Sequence, residues 1–518
     1  WALVQPLHAG FIDPAVLQRT WPQSDTLLNS TLMQRGMENI GSDVLLGCIR
    51  GALAAGRRLS ISAIGGSITA GSSYAAGTGS AADFLFHRKV ALALDAMYPV
   101  PSGHGRHNGG VPGTGPTYME HCVHDHLASD VDLVLLEYAV NTDRSPASFE
   151  RLLRKILTHP RSPALIVVNA HRWRTIRPHD GRIDKCWHKQ WPLDLRNNRT
   201  QWLAQTMGRI NHLGAPDHLA ADEDDIAALC AHYNVPLVSM RAALVQAVRA
   251  GAVAIPTFMN DCKHPNGVGH TFLAQLILQR LLLPSSPVAP AGSNVGGSPL
   301  STSLAICGSS VQSPILKEPY FGAKGREMAS SVCARGEQLA RYVEPALTDG
   351  FNLTDEGRGK GKLGYVAHDI GRSISMCLPW PAPGGKAKPP QVLWLGFLRS
   401  YEHMGRVKTH CSGACGCPND VIDGHDIKDG VSVTDVRRIP LRPSRREDSA
   451  DGCCRVKLRI AAGTSSGEHK FKVMSLLLGG ADAQHLQVFS LRVAASASET
   501  PADMQSKPRR RRKGMGAG

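Results

Sequence analysis

The sequence has few aromatic residues, no long apolar run and no phosphate-binding lysine. Phe, Trp and Tyr make up 5% of the 518 residues. No apolar run reaches the roughly 18–20 residues that cross a bilayer, so we expect no membrane-spanning segment here. Trp1 is not an initiator Met, and membrane association is expected only through a segment upstream of it. No Gly-Lys-Ser/Thr is present, which argues against nucleotide binding.

A basic excess is present but is concentrated at one end. The 58 basic and 43 acidic side chains give a net charge of +15. A single run, Lys507–Lys513, supplies six of these charges, and no aromatic residue interleaves it for base stacking. We therefore predict a solvated, disordered basic tail over residues 496–518 and no nucleic-acid partner.

Short apolar strands alternate with helical stretches in the first part of the chain. Leu59–Ile64, Val131–Leu136 and Ala164–Val168 have the pattern of buried strands, and Pro146–Leu157 is typical of an amphipathic helix between two of them. This alternation predicts an α/β domain over residues 56–284, with a parallel sheet covered on both faces. Residues 1–55 are an N-terminal extension in this interpretation.

The amino-acid composition and the pattern of apolar residues change after residue 284. Residues 285–314 are rich in Ser, Pro and Gly and are predicted to be a linker. Beyond them, short β-type runs are separated by Gly, Pro, Asp and Asn, which predicts an antiparallel β-sandwich accessory domain over residues 315–495. Its polar loops around Arg399, Tyr401 and Glu402 could hold a sugar; ordinary turn residues are the alternative.

The thirteen cysteines favour disulfides over a zinc site. His410 and Cys411 with Cys415 and Cys417 could bind zinc, but their spacing lacks the paired C-x2-C knuckles of structural zinc sites. Sequons for N-glycosylation begin at Asn29, Asn198 and Asn352. Together these features predict a secretory or extracellular location. No metal and no cofactor is expected.

Residue types suited to hydrolysis occur in separated segments of the first domain. Ser67 follows a predicted strand within Gly65–Gly71, where it would be exposed at the sheet edge that binds ligands. Asp261 precedes His264 by three residues, so that a local turn could orient the imidazole toward the serine. Taken alone, Ser67 could be a helix cap and His264 a structural histidine.

Hydrogen-bond donors for a developing oxyanion are also available. The backbone N–H of Gly113, in the glycine-rich stretch Asn108–Thr114, could point at the oxyanion. Asn141 lies just past a strand and could donate from its amide, and the Ser67 N–H would be a third donor. His121, His124 and His126 are interpreted as exposed helix residues rather than as a metal site.

The ordered set of Ser67, Gly113, Asn141 and Asp261-x-x-His264 resembles the four blocks of the SGNH/GDSL-type esterases, over roughly residues 58–284. The blocks Gly-Gly-Ser-Ile-Thr-Ala-Gly, Glu-Tyr-Ala-Val-Asn and His-Pro-Asn-x-x-Gly-His are similar to those of SGNH-like proteins of green algae and fungi. Gly66 replaces the Asp of Gly-Asp-Ser, and Thr142 replaces the Asp that usually follows the Asn.

The resemblance implies a flavodoxin-like α/β/α sandwich and a catalytic triad of Ser67, His264 and Asp261. It also implies an oxyanion hole formed by Ser67, Gly113 and Asn141. The expected activity is hydrolysis of carboxylic esters on a small molecule or a glycan. The alternatives are an acyltransferase that uses the same site and an inactive, glycan-binding relative. The sequence does not indicate whether the protein is a monomer or an oligomer.

Overall fold

The computed structural model describes residues 7–8, 11–12, 14–21, 28–71, 84–112, 114–141, 146–173, 218–260, 263–283, 316–327, 332–356, 363–380, 392–426, 433–444 and 452–479. The predicted linker, the basic tail, Gly113 and Asp261 lie outside the described residues.

A parallel sheet organises the first part of the chain. Two short strands at the amino end, β1 (Leu7–His8) and β2 (Phe11–Ile12), pair only with each other among the described residues. The strands of the main sheet are β3 (Ser60–Gly65), β4 (Gly105–Asn108), β5 (Leu133–Glu137), β6 (Ala164–Asn169) and β7 (Leu237–Ser239). All are parallel, in the order β4-β3-β5-β6-β7. This is the flavodoxin-like order, in which ligands bind at the carboxyl ends where the strand order reverses, beside β3.

Helices cover both faces of this sheet. Those of the described residues are α1 (Pro14–Thr20), α2 (Ser30–Gly36), α3 (Val44–Ala54), α4 (Ser67–Ala70), α5 (Phe86–Met97), α6 (Pro116–His126), α7 (Pro146–Leu157), α8 (His218–Tyr233), α9 (Met240–Arg249), α10 (Ile255–Phe258) and α11 (Gly267–Leu282). None is both long and apolar enough to span a membrane.

Alternate residues of β3, β5, β6 and β7 enter two separate cores. Leu133 and Leu135 pack into a core with α3, α5, α9 and α11, whereas Val134 and Leu136 pack into a second core with α6, α7 and α8. Because successive strand residues point to opposite faces, an almost wholly apolar strand is the expected sequence for this buried position. The predicted three-layer α/β/α fold is confirmed.

The amino-terminal segment packs into the first of these cores. Leu46, Ile49 and Leu53 of α3 are buried there, and Asn39 exchanges main-chain hydrogen bonds with Leu237 of β7 at 3.1 and 2.8 Å. The described part of residues 1–55 thus forms part of the α/β layers.

Antiparallel strands form the second part of the chain. They are β8 (Val332–Arg335), β9 (Asn352–Asp355), β10 (Leu363–Ala367), β11 (Ser373–Pro379), β12 (Val392–Arg399), β13 (Arg406–Gly413), β14 (Cys415–Gly416), β15 (Val421–Asp423), β16 (Val433–Pro440), β17 (Arg442–Pro443), β18 (Cys453–Ile460) and β19 (Phe471–Gly479). One sheet has the order β16-β12-β19-β10-β9 with β8 on β19, another has the order β11-β18-β13-β15, and β14 pairs with β17. The two larger sheets share one apolar core, which confirms the predicted sandwich.

The sandwich packs directly on the α6 and α7 face of the α/β layers. Cys122 of α6 is disulfide-bonded to Cys333 of β8. The ring of His121 lies 4.6 Å from that of Trp394, and both are buried. His126 is also buried, with Nε2 3.1 Å from the Tyr118 hydroxyl. The prediction that these histidines are exposed was therefore wrong for two of the three, because the accessory domain covers this helix.

The crowded cysteines of the sandwich form disulfides. Cys411 bonds to Cys417, and Cys415 bonds to Cys454, which confirms the disulfide prediction for this cluster. Another bond joins Cys377 to Cys453. Glu344 lies beside that bond, in the one group of described residues with a metal-ligand arrangement. Sulfurs that bond to each other are not thiolate ligands, so this group does not suit a metal.

Candidate active site

Ser67 begins a tight turn at the carboxyl end of β3. The strand ends at Gly65, and Ser67 is the first residue of the short helix α4. A Cβ atom on Gly65 would lie 2.1 Å from Thr69 Oγ1 and 2.6 Å from the carbonyl oxygen of Glu137. Only glycine fits there, so the sharp exit of the chain toward Ser67 depends on it.

His264 lies in a loop whose two sides are joined by main-chain hydrogen bonds. Asn260 N–H donates to the His264 carbonyl at 2.8 Å, and Asn266 N–H donates to the Phe258 carbonyl at 3.0 Å. The Asn266 side chain caps α11 by accepting from Val268 N–H at 2.9 Å, and it donates to the Thr257 carbonyl at 3.1 Å. These bonds fix the backbone that carries the imidazole.

The structure brings these two side chains into contact although they are 197 positions apart in the sequence. Ser67 Oγ lies 2.9 Å from His264 Nε2. This is hydrogen-bond distance, and it is the geometry in which an imidazole can accept the proton of a serine hydroxyl. The pair lies beside β3, where the strand order of the parallel sheet reverses.

Asn141 lies against the same turn. Its Nδ2 donates to the Thr114 carbonyl at 3.0 Å and lies 2.5 Å from where a Cβ on Gly66 would be. A side chain at position 66 would therefore displace the amide. This contact gives a physical reason for a glycine at position 66. An amide has two N–H groups, and the bond to Thr114 uses one of them.

A buried carboxyl group is hydrogen-bonded to the turn that carries Ser67. Glu137, the last residue of β5, is 1% exposed and accepts a hydrogen bond from Thr69 Oγ1 at 3.2 Å. Burial raises the pKa of Glu137 to about 8, against the lowering effect of hydrogen bonds from Thr69 and the main chain of Gly66. At neutral pH this carboxyl is therefore largely protonated.

Two buried histidines pack around the turn and the α11 helix. His87 Nε2 lies 3.1 Å from the Thr69 carbonyl oxygen, and burial lowers the pKa of His87 to about 4. His270 accepts from Phe86 N–H at 3.2 Å, and burial lowers its pKa to about 3. Both rings are neutral at physiological pH. The His270 ring is stacked on Phe86, with the ring centroids 6.0 Å apart.

Gly113 and Asp261 lie outside the described residues, so their predicted positions rest on the sequence. Several residues around the pair were missed by the sequence interpretation, among them Thr69, Thr114 and His87. Their contacts join segments distant in the chain, and neither periodicity nor a motif marks them. Asn266 carries a signal that could have been used, because an Asn directly before an apolar helix is a preferred cap.

Two polar loops of the sandwich contact each other near Tyr401. His403 Nδ1 lies 2.5 Å from Glu468 Oε1, which joins two of the loops. Tyr401 is 40% exposed. Arg399, by contrast, is paired with Asp435 at 2.9 Å and also with Asp426, so its guanidinium is already engaged by carboxylates.

Comparison with known proteins shows a shared fold. No protein-family model matches the chain, and no curated protein matches it. A two-domain esterase (CEX) active on acetylated mannans, crystallised with mannopentaose, superposes with a TM-score of 0.55 at 18% identity, over 88% of this chain and 99% of that chain. The same esterase without the oligosaccharide gives a TM-score of 0.53 at 17% identity, over 86% and 98%.

A family two carbohydrate esterase from Cellvibrio japonicus covers 32% of this chain and 36% of its own, with a TM-score of 0.18 at 11% identity. That likeness is too slight to support an inference. At 18% identity, the match to the two-domain esterase shows that this chain has the same combination of an α/β core and antiparallel sheets.

Proposed function

We propose that the protein is a serine esterase that hydrolyses carboxylic O-acyl esters. The observation that carries the proposal is the 2.9 Å contact between Ser67 Oγ and His264 Nε2 at the carboxyl edge of the parallel sheet. A nucleophile and a base within hydrogen-bond reach, beside a hydrogen-bond donor, form the arrangement that acyl transfer requires.

In this mechanism, Ser67 Oγ attacks the ester carbonyl carbon while His264 Nε2 takes the hydroxyl proton. The carbonyl oxygen becomes an oxyanion that accepts from the second amide N–H of Asn141 and from the Ser67 N–H. The ester C–O bond then breaks, and the imidazolium returns its proton to the leaving alcohol. Water, deprotonated by the same imidazole, attacks the acyl-enzyme, and collapse of the second tetrahedral intermediate releases the acid and restores Ser67.

The resemblance to SGNH-type esterases supplies the remaining roles in the proposal. Asp261 would accept from His264 Nδ1 and keep the ring in the tautomer that leaves Nε2 free to accept. Gly113 N–H would be a third oxyanion donor. Removal of one oxyanion donor from such a site lowers the rate by about 10²–10³, so each of the three donors would contribute on that scale.

For the substrate, we propose acyl groups, acetyl among them, on a glycan. The support is the shared two-domain fold with an esterase that acts on acetylated mannans and the sandwich domain, whose Tyr401 ring is exposed beside polar loops. An aromatic ring with neighbouring polar groups is suited to contact a sugar face.

A secretory or extracellular location is part of the proposal. The disulfides at Cys122–Cys333 and Cys415–Cys454 are of the kind that persists in oxidising compartments. Cell fractionation, with a mobility shift on reduction of the secreted protein, tests it; a reduced protein confined to the cytosol would contradict it.

The test of the activity is hydrolysis of p-nitrophenyl acetate by wild type and Ser67→Ala. We expect a loss of about 10³-fold or more in kcat for the variant. Ser102→Ala, an exposed serine outside the site, is the matched control and should turn over as wild type does. Equal turnover by Ser67→Ala would remove Ser67 from its role, and acceptor sugars that outcompete water for the acyl group would indicate a transferase.

A further inference from the structure

A second imidazole, that of His171, lies at the same edge of the parallel sheet. It follows the carboxyl end of β6 by two residues, and β5 is the one strand between β6 and β3. Since the carboxyl ends of parallel strands share one edge, the segment after β6 borders the region where Ser67 and Asn141 lie.

Aromatic packing links His171 to the loop that carries the base. The His171 ring meets Trp173 edge-on at 4.8 Å, and Trp173 meets Phe258 at 5.1 Å. Phe258 is the residue whose carbonyl accepts from Asn266 N–H, on the far side of the His264 loop. Residues 171–173 therefore pack against the element that positions His264.

A buried carboxylate fixes the orientation of this imidazole. His171 Nδ1 lies 2.5 Å from Oε1 of Glu223, which is 1% exposed. Arg241 Nε lies 3.0 Å from the other carboxylate oxygen of Glu223, so the charge of Glu223 is balanced from the opposite side. A carboxylate that accepts from Nδ1–H holds the ring in one direction and, in the neutral imidazole, leaves Nε2 as the acceptor.

The second nitrogen of this ring, Nε2, is the atom through which His171 would contact a ligand. The His171 side chain retains 11% of its surface, and no hydrogen bond joins Nε2 to another described residue. A neutral imidazole nitrogen accepts hydrogen bonds, and the hydroxyl groups of a sugar donate them. A sugar bound at the edge of an ester-hydrolysing site would bring such donors to Nε2.

We propose that His171 is a substrate-binding residue, whose Nε2 accepts a hydrogen bond from a hydroxyl of the sugar that carries the acyl group. Glu223 is the positioning residue that fixes the ring. This inference rests on the proposed esterase function and extends it by assigning recognition of the alcohol part of the ester. An aryl ester has no such hydroxyl, so the two kinds of substrate should respond differently.

The experiment compares O-acetylated mannopentaose with p-nitrophenyl acetate for wild type, His171→Ala, His171→Gln and Glu223→Gln. For His171→Ala we expect kcat/KM to fall about tenfold more on the sugar ester than on the aryl ester, the cost of one substrate hydrogen bond. His171→Gln should recover part of the loss, because its amide oxygen also accepts. His232→Ala is the control, because His232 lies at the other end of α8 from Glu223.

Equal effects of His171→Ala on both substrates, or no effect on either, would overturn the proposal. If wild type hydrolyses neither substrate, the esterase function itself fails and this inference falls with it. A separate readout is binding of mannopentaose to Ser67→Ala protein by calorimetry. Adding His171→Ala should weaken that binding about tenfold, and an unchanged Kd would contradict the role.

Discussion

The buried carboxyl of Glu137 gives the sharpest prediction about pH. Burial raises the pKa of Glu137 to about 8 from an ordinary value of 4.5. Between these values the folded protein keeps a proton that the unfolded chain has lost. Stability therefore decreases as pH rises through this window, by about 1.4 kcal/mol per pH unit for this one group.

Replacing Glu137 with Gln removes the titration and keeps an oxygen to accept from Thr69 Oγ1. The difference in unfolding free energy between Glu137→Gln and wild type should grow by about 3.5 kcal/mol in favour of the variant from pH 5 to pH 8. All other titrating groups are common to both proteins and cancel in that difference. Hydrolysis of p-nitrophenyl acetate by the variant at pH 7 should stay close to wild type.

The measurement is urea unfolding followed by tryptophan fluorescence at half-unit steps of pH. Glu318→Gln removes an exposed carboxylate, 89% accessible, and serves as the control. A constant difference between Glu137→Gln and wild type across this range would refute the reasoning, because it would mean that Glu137 is ionised in the folded protein throughout.

Two further perturbations follow from the packing around the site and between the domains. Gly66→Ala places a methyl group 2.5 Å from Asn141 Nδ2 and should lower kcat on p-nitrophenyl acetate about 10²-fold by moving an oxyanion donor. Gly51→Ala is the control, because its methyl group meets nothing within 4 Å, and it should leave kcat unchanged. Equal kcat values for the two variants would contradict the role of Asn141 as a donor. Replacing Cys122 and Cys333 with serine opens a link that spans 211 residues and should cost about 5 kcal/mol of unfolding free energy on the chain-entropy model. The same change at the Cys411 bond, which spans 6 residues, should cost about 2 kcal/mol, and equal costs in chemical denaturation would contradict this account.

Sequence patterns predicted the buried elements of the fold well and the polar ones poorly. The predicted helix Pro146–Leu157 coincides with α7, because one apolar face repeats at helical spacing. Strand β4, Gly-Arg-His-Asn, went unpredicted. It is at the edge of the sheet and has no apolar alternation, so the parallel pairing with β3 determines its structure.

The candidate site was predictable where a motif fixes it locally and not where it depends on tertiary contacts. Ser67 and His264 stand in recognisable glycine- and proline-flanked blocks. The support of the turn by Glu137 and the dyad of His171 with Glu223 join residues 52 or more positions apart. Helix α6 shows the same limit, since its sequence does not reveal that a second domain covers His121.

The proposed esterase mechanism depends most on the activation of Ser67 by His264. The direct measurement is mass spectrometry of the protein after reaction with a fluorophosphonate, for wild type and His264→Ala. We expect one adduct, on the peptide that contains Ser67, and its loss in the variant. An adduct on another residue, or labelling of Ser67 that is as fast without His264, would contradict it.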